Sequence, residues 1–122
     1  MIGMVFGIYD NILPYHEALL AEAQKQCTTL LIAVSSDEET TGLKRGLEIV
    51  SFAERTARIR KYCSQHNIRA QIVGGRTQSP QHVVLAYKPD VFILSQSQHE
   101  RFGEELHNLI EKNHLRSRIL VV

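Results

Sequence analysis

Gly7-Ile8-Tyr9-Asp10-Asn11-Ile12-Leu13-Pro14-Tyr15-His16 stands between the apolar run Met4-Val5-Phe6 and a segment reading His16-Glu17-Ala18-Leu19-Leu20. It turns a buried strand into a helix. The first turn of a helix leaves backbone N–H groups unpaired and carries the positive end of the dipole, so it favours anions. His16 adds a side-chain donor there, and Asp10 places a carboxylate in the turn. Lys44 and Arg45 add cations in a polar stretch further on. Arg55 sits in the first turn of a later helix, where a cation opposes the dipole, so a binding role is favoured over chance. Plainer readings stand beside each: His16 bonding a loop, Asp10 as a turn residue, Lys44 and Arg45 as solvated charges.

The elements that must position these groups are legible as five apolar runs: Ile2 to Ile8, Leu30 to Val34, Gln71 to Val73, Val91 to Leu94 and Ile119 to Val122. They are rich in Val, Ile and Leu and do not alternate, which predicts strands buried on both faces. Between them lie amphipathic helices. Phe52, Thr56, Ile59 and Cys63 recur at helical spacing, with Glu54, Arg58 and Lys61 opposite. Ser51 with Glu54 makes a capping box at the start of this helix, and Asn67 helps to stop it. Ser79-Pro80 is an N-cap and first-turn pair for a short helix through Tyr87. Phe102, Leu106, Leu109 and Ile110 form the stripe of the last helix.

The order β-α-β-α-β-α-β-α-β predicts an α/β fold: a parallel sheet between two helical layers, joined by right-handed crossovers. The ligand edge is then the carboxyl end of the strands. The polar stretch from Ser35 to Val50 falls at that edge, and its length suits a flap or a disordered excursion. Gly74-Gly75-Arg76 reads as a turn after the third strand.

The 122 residues suit one domain, 1–122, with an ordinary balance of 43% hydrophobic and 22% charged residues. A net charge of +1 gives no electrostatic footprint for nucleic acid, and no apolar run approaches the roughly 20 residues that span a bilayer. No basic segment precedes an apolar one at the N-terminus, so the chain reads as cytoplasmic. Cys27 and Cys63 fall within expected helices and read as reduced and inert. His66, His82, His99, His107 and His114 show no metal-ligand spacing, so no metal site is expected from them.

Taken in order, the motifs resemble those of the cytidylyltransferase-like nucleotidyltransferases, above all the small glycerol-3-phosphate cytidylyltransferase type. That family opens with a strand, then Gly-x-Phe-Asp-x-x-His-x-Gly-His, then a helix; Gly7, Tyr9, Asp10 and His16 fall on matching positions. The likeness continues through Leu19-Leu20, Val34-Ser35-Ser36-Asp37, Lys44, Phe52-Ala53-Glu54-Arg55 and Lys88-Pro89-Asp90-Val91-Phe92-Ile93-Leu94. It implies a Rossmann-like three-layer fold with five parallel strands in the order 3-2-1-4-5. It also implies transfer of a nucleoside monophosphate from CTP or ATP to a small phosphorylated or alcohol acceptor, with Mg²⁺ as cofactor and pyrophosphate released. His16 would be the catalytic donor, and Gly7, Tyr9, Asp10, Lys44 and Arg55 would bind the nucleotide and its phosphates.

The chain departs from the pattern at four places. Leu13 replaces the first histidine, and Tyr15 replaces the glycine, its ring projecting where the family makes room for the nucleotide. Ser95-Gln96-Ser97-Gln98 replaces a Gly-x-Asp, and the chain stops at Val121-Val122, where the family continues into an Arg-containing turn. Losing one oxyanion-type donor costs about 10²–10³ in rate, so weak or lost turnover is expected. The alternative is a degenerate member acting as a nucleotide-binding or protein-interaction module, with a homodimer face as one seat of that role. An unrelated flavodoxin-like or stress-protein-like nucleotide binder is a third reading.

Overall fold

The computed structural model describes residues 1–7, 9, 12, 14–37, 50–75 and 81–122. Among them five strands and four helices alternate: β1 (Ile2–Gly7), α1 (Pro14–Gln26), β2 (Thr29–Ser35), α2 (Phe52–Gln65), β3 (Ala70–Gly75), α3 (Gln81–Tyr87), β4 (Val91–Leu94), α4 (Gln96–Lys112) and β5 (Arg118–Val121). All pairings are parallel, and the strand order is β3-β2-β1-β4-β5, as expected. The order reverses direction between β1 and β4, which makes their carboxyl ends the switch point.

Side chains alternate across each strand, so one strand feeds two cores. Val5, Ile32, Val34, Val91 and Ile93 point to the layer of α1 and α2, where they meet Leu19, Leu20, Ala23, Ile59 and Cys63. Met4, Phe6, Leu31, Ala33, Phe92 and Leu94 point the other way, to Val83 and Val84 of α3 and to Phe102, Leu106 and Ile110 of α4. Phe6 stacks on Phe92 at 5.9 Å and meets Phe102 edge-on at 5.8 Å, which joins β1, β4 and α4. These are the three expected layers.

The amino-terminal edge of the sheet is pinned by backbone and carboxylate bonds. Ile2 N donates to Asp90 Oδ2 at 2.7 Å, and Asp90 N donates to Ile2 O at 2.7 Å. Arg118 N donates to Asp90 O at 2.9 Å, and the Ser117 hydroxyl donates to Pro89 O. The Lys88-Pro89-Asp90 motif therefore works on the edge opposite the switch point, holding β1, β4 and β5 in register.

Element ends differ from expectation in informative ways. α1 begins at Pro14, whose fixed φ suits a first helical position, two residues before the expected start at His16. It ends at Gln26, so Cys27 lies past the helix rather than within it, with its sulfur against Gly3. The close approach requires a glycine there: a Cβ on Gly3 would stand 2.8 Å from Cys27 Sγ. Ser51 caps α2 by accepting from Glu54 N at 3.2 Å, while the Glu54 carboxylate turns to Arg58 at 3.7 Å instead of completing the box. Asn67 follows that helix at φ 55°, the left-handed conformation that asparagine tolerates. The expected Ser79-Pro80 cap and Arg76 lie outside the described residues.

Burial pushes both thiols, Cys27 and Cys63, above the usual cysteine range, which lowers their thiolate fraction at neutral pH. Both should therefore react slowly with a disulfide reagent at pH 8 in the native protein and rapidly in denaturant. A fast native reaction at Cys63 would contradict its packing.

Candidate functional site

At the carboxyl end of β1 the chain enters α1 through Tyr9, whose φ of 60° is uncommon for a residue with a bulky side chain. The backbone turn folds the Tyr9 ring back over Gly7. A Cβ on Gly7 would lie 2.5–2.9 Å from three ring carbons of Tyr9, so the glycine is required by this ring. Tyr9 is 1% exposed and packs within the α1 and α2 core, with Cys63 among its members. Its hydroxyl has no hydrogen-bond partner among the described residues, and burial drives its pKa well above the usual tyrosine value.

His16, third residue of α1, is 6% exposed and stacks on this tyrosine. The Tyr9 and His16 ring centroids are 4.7 Å apart at 35°. On the helix, Tyr15 lies against the same imidazole, 4.0 Å between centroids at 43°. Tyr15 is 54% exposed, so it stands on the solvent side of His16 and does not fill the core.

Arg55 is placed differently from the expectation of an open phosphate ligand. It is fully buried. Its Nε donates to Val50 O at 3.0 Å, and its Nη2 lies 3.2 Å from Asp37 Oδ1. The same carboxylate oxygen accepts from Phe52 N, the first residue of α2, at 2.7 Å. Asp37 thus answers the dipole of α2 and the charge of Arg55 together, which explains how a cation is tolerated in that first turn. The pair ties the end of β2 to the start of α2.

Across the switch point, Ser95 and Gln98 form a full capping box for α4: Ser95 Oγ accepts from Gln98 N at 3.2 Å, and Gln98 Oε1 accepts from Ser95 N at 3.1 Å. The remaining Gln98 Nε2 donates to Phe6 O at 2.7 Å in a buried bond between residues 92 positions apart. A segment that reads as lost chemistry is therefore a lock between β1 and α4. The signal for it, Ser-x-x-Gln before an apolar stripe, is the same rule that finds Ser51.

The structure brings Gly7, Tyr9 and His16 together at the end of β1 and sets Arg55 beside the end of β2. Asp10, Leu13, Lys44 and Arg45 lie outside the described residues. Those described include no group of three His, Cys, Asp or Glu side chains able to hold a metal ion. A groove of about 780 Å³ between α4 and β5, lined by residues such as His99, His107, Ile119 and Val121, lies on the flank of the sheet rather than at the switch point.

Two substitutions test this local frame. Tyr9→Phe removes a buried hydroxyl without a partner and should raise stability by about 1 kcal/mol in urea unfolding. Asp37→Ala removes a cap and half of a partly buried ion pair, and should cost about 1–3 kcal/mol.

Comparison with known proteins gives one family model, described as cytidylyltransferase-like, which matches residues 4–120. A bifunctional protein HldE from Gluconacetobacter diazotrophicus is 29% identical over 92 residues, covering 75% of this chain and 18% of that protein. The chain thus spans about a fifth of that relative's length. A protein of unknown function from Archaeoglobus fulgidus has the same fold, with a TM-score of 0.83 at 18% identity, covering 100% of this chain and 89% of that one. A lipopolysaccharide core biosynthesis protein from Thermoplasma volcanium GSS1 follows at 0.75 and 20% identity, covering 100% and 95%. At such identities the structural likeness speaks for the fold.

Proposed function

The chain belongs to the cytidylyltransferase-like family, and we propose that it binds CTP or ATP over the carboxyl ends of β1 and β4 and transfers the nucleoside monophosphate, slowly, to a small phosphorylated or alcohol acceptor. An acceptor oxygen attacks the α-phosphorus, the bond to the bridging oxygen of the β-phosphate breaks, and pyrophosphate leaves with that electron pair. Charge builds on the α-phosphate oxygens and the leaving group, so the reaction needs positioned donors more than a covalent nucleophile.

The observation that carries this reading is His16, held at the amino end of α1 at the end of the central strand. In that role its imidazole donates to an α-phosphate oxygen alongside the helix N–H groups. Lys44 takes the outer phosphates. Arg55 contributes through the frame, because its pair with Asp37 fixes the edge on which the phosphates would lie. Mg²⁺ would come with the nucleotide and be held mainly by its phosphates, where it would offset their charge. Leu13 leaves the site one donor short of the family pattern, which sets the slow rate.

Isothermal titration with CTP and ATP, with and without Mg²⁺, should show saturable binding. His16→Ala should lower kcat by about 10²–10³-fold with little change in KM. Leu13→His should raise kcat. Absence of binding at millimolar nucleotide would overturn the enzyme reading and leave an interaction module built on the family fold.

A further inference from the structure

β5 is a terminal strand of the sheet, paired with β4 on one side and with no described strand on the other. Its backbone groups alternate in direction. Arg118 N donates to Asp90 O and Val122 N to Leu94 O, both toward the β4 side, so Leu120 points its backbone groups the same way. The N–H and C=O groups of Ile119 and Val121 therefore point outward along an open edge. The side chains on that edge are apolar: Ile119 and Leu120 are half-buried, and Val121 is 37% exposed. β3, at the opposite end of the sheet, instead carries Gln71 and closes on Gly74-Gly75.

Beside the β5 edge runs the groove between α4 and β5, and its charge is uneven. α4 starts from the carboxyl end of β4, whereas β5 starts at the amino end. The groove thus has Glu100 toward one end and Arg118 toward the other. Neither residue has an ion pair among the described residues. A parallel copy laid along this edge would set like charges together. An antiparallel copy sets opposite charges together at both ends.

We propose that this edge is the seat of a second copy of the chain, joined by an antiparallel β5–β5 contact centred on Leu120. In that register Ile119 of one copy opposes Val121 of the other, and the two exchange both backbone bonds, while Leu120 meets Leu120. Every outward group of the two strands is then paired, and the apolar side chains cover one another. The two-fold axis brings the Arg118 end of each groove against the Glu100 end of its partner. The contact lies on the flank of the sheet, so it leaves the switch point open and does not depend on nucleotide.

Sedimentation velocity on the 122-residue chain, from micromolar to millimolar concentration, reads the assembly directly. A concentration-dependent dimer is expected, with a dissociation constant that rises about 10-fold from low to high salt. Val121→Pro deletes one outward donor per copy at a position where an edge strand accepts proline, so it should dissociate the dimer and leave the thermal melt unchanged. Arg118→Glu and Glu100→Arg should each weaken self-association about 10-fold, and an equimolar mixture of the two should dimerise again, because the mixed pair restores opposite charges at both ends.

A wild-type chain that stays monomeric at millimolar concentration would overturn the proposal and leave the edge to a strand of another protein. A dimer indifferent to Val121→Pro would overturn it in favour of another surface. Charge variants that leave the dimer unchanged, or that fail to recover when mixed, would overturn the two-fold arrangement. None of these outcomes bears on nucleotide binding, which the titration above decides.

Discussion

A parallel strand at the centre of a sheet has both edges hydrogen-bonded and both faces buried, so β1 can meet a ligand only where it ends. This constraint organises the rest of the molecule. Every residue from Gly3 to Phe6 is buried, split between the two cores by the period of two. A polar side chain there would lack a partner on either face. Chemistry is displaced to Gly7 and beyond, where the strand stops pairing and the chain must turn into α1.

The two ends of the sheet are held by different means, and the difference matters for function. The amino end is fastened by Asp90, whose carboxylate and backbone reach Ile2 and Arg118. The carboxyl end is held by side chains that reach back from helix starts. Gln98 reaches the Phe6 carbonyl from α4, and Asp37 reaches α2 and Arg55 from the end of β2. Each is a cap that also ties a helix to the strand end. The frame around the candidate site is tied at those helix starts.

The strands and the helical stripes were legible because each depends on local patterns: apolar runs, a three-to-four spacing, Ser51 ahead of a helix and Asn67 after one; the strand order came from the family resemblance. What escaped depends on contacts between distant residues. Nothing near Arg55 in sequence announces Asp37, which stands 18 positions earlier. The opposed dipole hinted that Arg55 needed an anion, but a ligand phosphate and a carboxylate of the chain satisfy that need equally well. Gln98 carried a local signal, the Ser-x-x-Gln spacing, yet its second bond runs to a residue 92 positions away. Cys27 was placed inside a helix because composition does not mark where α1 stops.

Tyr9 and Tyr15 show why the signature is poorly judged one position at a time. A phenylalanine at position 9, as in the family pattern, would bury the same ring without an unpaired hydroxyl, so tyrosine there carries a cost. That ring demands Gly7 on one side and supplies a surface for His16 on the other. His16 also meets a ring from its own helix, that of Tyr15 at the neighbouring position. The departures at 9 and 15 therefore act on one imidazole and form a single rearrangement. Counting them as separate defects misreads the local packing, in which both tyrosine rings touch the one imidazole.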